Sequence, residues 1–201
     1  MPDTGAPYFI PFADPTDLVR DWPALSEDVA EAVADGLDAA GGLVAVKSAI
    51  FTGTQDASVT RGGSLTVTDL TITHEVADVA NKLIITAFIG IGASSSGQGN
   101  VGLAIHDGAQ LIGVNTDTPG SRVNGSAGGY LQEPASSPVI GANLSVSFVH
   151  TPGSGSKTYT VRMTNIGSTT STLYVNRLDS DSDGDNRARG ISSLVIQEVK
   201  V

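Results

Sequence analysis

NKLIITAFIGIG, residues Asn81–Gly92, is apolar at almost every position. An unbroken run of this length, without alternation, is the pattern of a strand covered on both faces. One face meets the core of the domain. The other needs a second surface, which in a sheet protein is often a neighbouring subunit. The reading of the rest of the chain depends on what stands on either side of this segment.

Upstream, LVAVKSAIF (Leu43–Phe51) opens a strand-like run. SLTVTDLTIT (Ser64–Thr73) alternates, but Leu65 and Val67 share one phase and Leu70 and Ile72 the other. A slip of one residue near Asp69 predicts a bulge or a break. Downstream, NVGLAIHDGAQLIGVNT (Asn100–Thr116) reads as two short strands joined at Asp107–Gly108, a strong hairpin signal. ANLSVSFVHT alternates through Leu144, Val146 and Phe148, and SKTYTVRMTNIG through Tyr159, Val161 and Met163. STLYVNR (Ser171–Arg177) and GISSLVIQEVKV (Gly190–Val201) complete the set. About nine short strands separated by Gly, Ser, Asn and Pro predict a mainly β, jelly-roll-like antiparallel sandwich. We place this head at residues 43–201.

Two different segments precede the head. Residues 1–22 form an extended arm, because four of the nine prolines (Pro2, Pro7, Pro11, Pro15) fall there and block regular structure. Tyr8, Phe9, Ile10 and Phe12 sit among them, so the arm docks on a partner or on its own head rather than floating in water. Residues 23–42 then read as one short helix. Pro23 suits a first turn, and Glu27, Asp28 and Glu31 lie near the positive end of the dipole. Gly41–Gly42 ends it. Leu25, Val29, Val33 and Leu37 recur every four residues. A single apolar stripe is marginal alone. It either packs on the head or associates with copies of itself.

Composition narrows the classes. Of 201 residues, 40% are hydrophobic and 16% charged, so a packed core is available and disorder is not the default. No cysteine is present, which removes disulfides and thiolate chemistry. No apolar run is long enough to span a membrane, and the N-terminus lacks the pattern of a signal peptide. The formal net charge is −10. Residues 1–45 hold nine acids against Arg20 alone, a net of −8, leaving −2 for the remainder. An acidic front end disfavours nucleic acid and suits a basic partner, or serves solubility alone.

Candidate chemistry is sparse. Asp179, Asp181, Asp183 and Asp185 imitate the front of a calcium loop. The twelfth position, where an EF-hand needs a bidentate Glu, is Gly190. The stretch therefore reads as a solvated loop between strands, with Arg177, Arg187 and Arg189 near enough in sequence to pair with its acids. No metal ligand set and no cofactor are assigned. His74, His106 and His150 each fall near a strand end with no metal-binding spacing, and read as partly exposed. GASSSGQGNVG lacks the G-K-[ST] ending of a phosphate loop. No carboxylate pair or nucleophile motif suggests an enzyme. The long stretch Thr118–Pro138, with Arg122 and Tyr130, reads as a loop that either contacts a target surface or fills the side of an assembly.

Taken together, AVKSAIFTGTQDAS, LTVTDLTIT, NKLIITAFIGIGAS, GLAIHDGAQLIG, KTYTVRMTN, LYVNR and GISSLVIQEVKV resemble a β-sandwich domain of tailed-bacteriophage virion structural proteins. These are the tail-fibre, head-fibre and minor structural proteins. PYFIPFADPTDLVRDWPALSEDVAEAV is similar to their N-terminal segments. The resemblance covers nearly the whole chain, through turns and strand ends rather than chemical motifs. It implies a homotrimer whose head resembles the trimeric jelly rolls of the tumour necrosis factor and C1q type. It further implies an N-terminus anchored to capsid, collar or tail proteins, synthesis in the host cytoplasm and residence in the virion. The outward head would bind a host glycan or protein, or stabilise the capsid. One short helix in place of a long shaft departs from the fibre pattern and describes a stub. A soluble carbohydrate-binding module, calcium-assisted through Asp179–Asp185, is the alternative reading.

Overall fold

The structure is a computed structural model, and it describes residues 28–33, 42–93, 99–114, 123–131, 141–167, 169–178 and 189–201. Residues 28–33 are helical. The remaining regular structure is eleven strands among the described residues. They are β1 (Leu43–Phe51), β2 (Gln55–Val59), β3 (Ser64–Val76), β4 (Lys82–Ala93), β5 (Gly99–Asp107), β6 (Gln110–Ile112), β7 (Ala127–Leu131), β8 (Gly141–His150), β9 (Gly155–Asn165), β10 (Ser171–Val175) and β11 (Ser192–Val199).

The strands form two antiparallel sheets packed as a sandwich. In the six-stranded sheet β4 is the spine. It pairs with β8 over Leu83–Gly92 and with β11 over Lys82–Phe88. Beyond Phe88 the short β10 takes over. β1 extends the sheet beside β11, and β2 beside β10. The five-stranded sheet runs β3-β9-β5-β6, with β7 also on β5.

Alternation along each strand builds the core between the sheets. Leu83, Ile85, Ala87 and Ile89 of β4 and Leu194 and Ile196 of β11 are fully buried. They face Leu103 and Ile105 of β5 and Tyr159, Val161 and Met163 of β9, which are also fully buried. Each large aliphatic group contributes about 1.5–3 kcal/mol by leaving water.

The phase slip in SLTVTDLTIT is a bulge. The β3–β9 register jumps between Thr66 and Thr71, and Asp69 has φ +60°. Aspartate tolerates this left-handed conformation better than most residues. The extra residue lets Val67 and Leu70 both point into the core while Thr68 and Asp69 point out. The hairpin at Asp107–Gly108 is also present. Gly108, at the first central position of a two-residue turn, has φ +56°, while Ala109 has no positive φ, the type II′ pattern.

Three expectations need correction. Thr118–Pro138 is not a loop throughout, because β7 lies within it and pairs with Gly99–Leu103 of β5. β2 is a second strand that alternation did not reveal. His74 is buried, not partly exposed.

Short strands leave junctions where backbone groups need other partners. Where β10 hands over to β11 against β4, Asn176 adopts φ +58° and fills the gap. Its amide donates to the Phe51 and Gly53 carbonyls at 2.8 and 2.9 Å. Its Oδ1 accepts from Ser192 Oγ at 2.6 Å, and that hydroxyl in turn accepts from the Gly90 amide at 3.2 Å. On the other sheet, Ser126 ties the β6/β7 junction. Its hydroxyl accepts from the Ile105 amide and donates to the Ile112 carbonyl.

Candidate self-association face

β4 has its second face on the outside of the six-stranded sheet. Within the single chain that face is incompletely covered. Ile84 and Phe88 are half-buried and Thr86 is exposed. Register extends them into rows, because paired residues project to the same side. One row is Val46 of β1, Gln197 of β11, Ile84 and Val149 of β8. Another is Ile50, Ser193, Phe88 and Ser145. Between them run Ser48, Val195, Thr86 and Ser147, the last two joined by a 2.9 Å hydroxyl hydrogen bond.

Val46 is 51% exposed, Ile50 58% and Val149 62%. Leu43 and Val44, at the start of β1, are exposed as well. Val46, Ile50, Ile84, Phe88, Val149 and Val195 thus put exposed or half-buried apolar side chains on one face across four strands, interspersed with Ser, Thr and Gln197, and clustered exposed apolar groups mark interaction surfaces. The three rows hold no charged side chain; their polar members are Gln197 and the small hydroxyls of Ser48, Thr86, Ser145, Ser147 and Ser193.

A buried ionisable cluster ties the sheets together. Glu198 on β11 is 1% exposed. One oxygen accepts from Asn81 Nδ2 at 2.6 Å and from the Ala77 amide at 2.9 Å. The other lies 2.8 Å from His74 Nε2 on β3. Burial alone would raise this carboxyl's pKa. The Asn81, Ala77 and His74 hydrogen bonds and the His74 charge outweigh burial and hold it below its ordinary value. This is a structural clamp between the sheets.

The residues singled out from sequence are distributed as follows. Val29 and Val33 lie on the helix at 28–33, where Val33 is 45% exposed. Tyr130 is on β7, opposite Asn100. Tyr8, Phe9, Ile10, Phe12, Leu25, Leu37 and Arg122 lie outside the described residues, as does the aspartate stretch 179–188. Arg177 pairs with Asp56 of β2 at 2.7 Å and stacks 4.6 Å over Tyr174. No group of three metal-ligating side chains occurs among the described residues. No helix among them is long and apolar enough to cross a membrane.

Sequence reasoning missed the His74–Glu198 pair, although its signal was present. After the slip at Asp69, His74 shares the inward phase of Leu70 and Ile72. Glu198 shares that of Leu194 and Ile196. Two polar residues on inward phases of different strands imply either a buried pair or a site. No protein-family model matches the chain, and no curated protein matches it in sequence.

Proposed function

We propose that the chain is a non-enzymatic structural protein of a tailed-bacteriophage virion, a short homotrimeric fibre or spike. Its arm, residues 1–22, and acidic helix, residues 23–42, attach to capsid, collar or tail proteins. Its jelly-roll-like head projects outward for adhesion to a host surface or stabilisation of the capsid. The observation that carries this reading is the apolar outer face of the six-stranded sheet. Three copies around one axis bury such a face on every subunit and leave none open, because a closed ring has no free end. The exposed Val33 on the helix adds an apolar group that the same axis would cover. The family resemblance of the strand ends, together with an acidic front end fit for a basic socket, directs the assembly to a virus particle.

The reading is tested on particles from the virus that encodes the chain. Mass spectrometry of purified particles should find it at a copy number divisible by three. Electron microscopy with antibody against the head should label projections on the particle surface. Absence of the chain from purified particles would overturn the proposal.

A further inference from the structure

The two lateral sides of the sandwich end differently. On one side lie β1, β2 and β3. β1 is broken by a bulge between Leu43 and Ala45, and its Lys47 donates to the Thr73 carbonyl of β3 at 2.7 Å. Gln55 of β2 bonds the same strand twice. Its Nε2 donates to the Thr66 carbonyl at 2.9 Å, and its Oε1 accepts from the Thr68 amide at 2.8 Å. A bulge, a lysine and side chains bonded to open backbone groups are ways of guarding a sheet edge.

The other side has β8 at its edge and none of these guards. β8 pairs with β4 in unbroken register from Leu83 to Gly92, and no strand among the described residues lies on its far side. GANLSVSFVH holds no Lys, Arg, Asp, Glu or Pro. Which of its backbone groups are open follows from β4. The Gly90 carbonyl accepts from the Asn176 amide, on the side of β10 and β11. Successive residues of a strand turn their backbone groups to opposite edges, so even-numbered residues of β4 bond that way and odd-numbered ones bond β8. The partners of the odd ones are Ala142, Leu144, Val146, Phe148 and His150. Asn143, Ser145, Ser147 and Val149 therefore turn N–H and C=O to the free edge, and no other described backbone group meets them. At the His150 end of this edge lies an open groove of about 460 Å³ between Gln110–Val114 and Phe148–His150. Gly113, at φ +64°, lets the strand-end backbone lie against the Phe148 ring, where a side chain would collide.

A row of open N–H and C=O groups is a template for one more strand. The sequence holds one of matching phase. In PYFIPFADP the prolines fall at 7, 11 and 15, all odd. A strand that turns those positions to solvent loses no ladder bond to the missing N–H groups. Its even positions, Tyr8, Ile10 and Phe12, then face the neighbouring strand with N–H and C=O intact. The chain can reach. Leu43 pairs with Val199 and Val199 with Lys82, so β1 begins at the end of the sheet where β8 stops at His150. The far side of β8 is roughly 20 Å from there, at about 4.8 Å for each strand crossed. Residues 14–42 lie between, long enough to cross that distance even with a helix among them.

We propose that residues 7–13 of the same chain add to the free edge of β8 as an antiparallel strand. Tyr8, Ile10 and Phe12 pair with the open groups of β8 and place their side chains on the outer face, continuing the row that ends at Val149. Phe9 turns to the opposite face, where the groove lies. The prolines come to the new edge and leave it unable to pair further. The proposal concerns the unassembled chain and does not rest on the virion reading. Attachment to a particle would withdraw the same segment.

The test is NMR of the full chain, which has no native cysteine. A spin label on Phe9→Cys should broaden the amide signals of Ser145, Ser147, Val149 and Gly113 and leave those of Thr66 and Thr73 sharp. Chains carrying the spin label, refolded together with isotope-labelled chains that lack it, should broaden those signals far less. Ile10→Pro removes an N–H that faces β8 and should speed exchange at Ser145 and Ser147 roughly tenfold or more, whereas Phe9→Pro, on the proline phase, should change it by less than about twofold. Neither variant touches the core. No broadening from the label, or equal effects of the two proline variants, would overturn the proposal. Equal broadening in the mixed sample would also overturn it, by giving the edge to the arm of a second copy. None of these outcomes bears on whether particles contain the chain, so failure here and failure of the virion reading are distinguishable.

Discussion

The two sheets of the head turn different outer faces to their surroundings. On the five-stranded sheet the outward phase of β3 and β9 is a lattice of threonines with a few charges. Thr71 pairs with Thr160, Thr73 with Thr158, and Thr66 with Arg162. The first two pairs bring their hydroxyls within 3.4 and 3.1 Å. Beside them His106, whose pKa burial and then Arg162 hold below its usual value, adds a neutral polar ring at neutral pH. The threonines of that face suit contact with water. On the six-stranded sheet the same alternation places Val46, Ile50, Ile84, Phe88, Val195 and Val149 outward. Both sheets bury one phase in a shared core, so the core does not explain the difference. It lies in the second phase itself: threonines with a few charges in one case, valine, isoleucine and phenylalanine among small hydroxyls and Gln197 in the other.

The largest expected effect follows from breaking that contrast. Replacing Ile84 and Phe88 together by Glu should weaken association roughly a thousandfold or more, since buried aromatic and aliphatic anchors at interface centres dominate binding. The head should still fold, because both residues project away from the core. Replacing Thr71 and Thr73 by Glu puts the same charge on the other face and should leave the assembly's mass unchanged. Analytical ultracentrifugation of both variants reads the result. Dissociation of both, or of neither, would erase the distinction between the faces.

A somewhat smaller effect is expected where the sheets are clamped together. Glu198→Ala removes the carboxylate and strands His74, Asn81 and the Ala77 amide in the interior. The cost should be about 3–5 kcal/mol by urea denaturation. The sign of the pH dependence follows from the lowered folded-state pKa. The carboxylate's contribution is fully present above its unfolded value near 4.5 and is lost as pH falls through the folded value. The stability gap between the native chain and Glu198→Gln should therefore be widest at neutral pH and shrink below about pH 4.5. A gap that widens on acidification would contradict the clamp. Because the clamp is interior, neither variant should alter the relative behaviour of the two outer faces.

The smallest effect concerns how the threonine face keeps its phase. Asp69 takes up the extra residue that lets threonines point outward on both sides of the bulge. Asp69→Val should cost about 1–2 kcal/mol, because a β-branched side chain is strained at φ +60°. Asp69→Gly should be close to neutral. Thermal unfolding of the pair measures this.

How much of this was legible depends on whether the signal is local. The bulge at Asp69, the Asp107–Gly108 hairpin and the two-sided apolarity of β4 could be read because each is a departure within one strand or turn. β2 (QDASV) and β7 (AGGYL) escaped because short strands of small residues carry little alternation. They are held by neighbours and by junction groups such as Ser126, and those contacts do not register in local sequence. The outer face of the six-stranded sheet was foreseeable only at β4. Its extent needed the register that lines up Val46, Ile84 and Val149. The free edge of β8 was farther still from view. Nothing in ANLSVSFVHT says which residues turn their backbone groups outward, and only the Gly90–Asn176 bond on the other side of β4 fixes it.

The most direct test is sedimentation equilibrium of the full chain at low micromolar concentration, with hydrogen exchange followed across β4 and β8. The account predicts three times the chain mass, with exchange at Ile84–Phe88 and Ser145–Val149 faster in the Ile84/Phe88 double variant. A stable single-chain mass, with those segments as protected as in the variant, would mean that the apolar face stays open to water and that no second copy covers it.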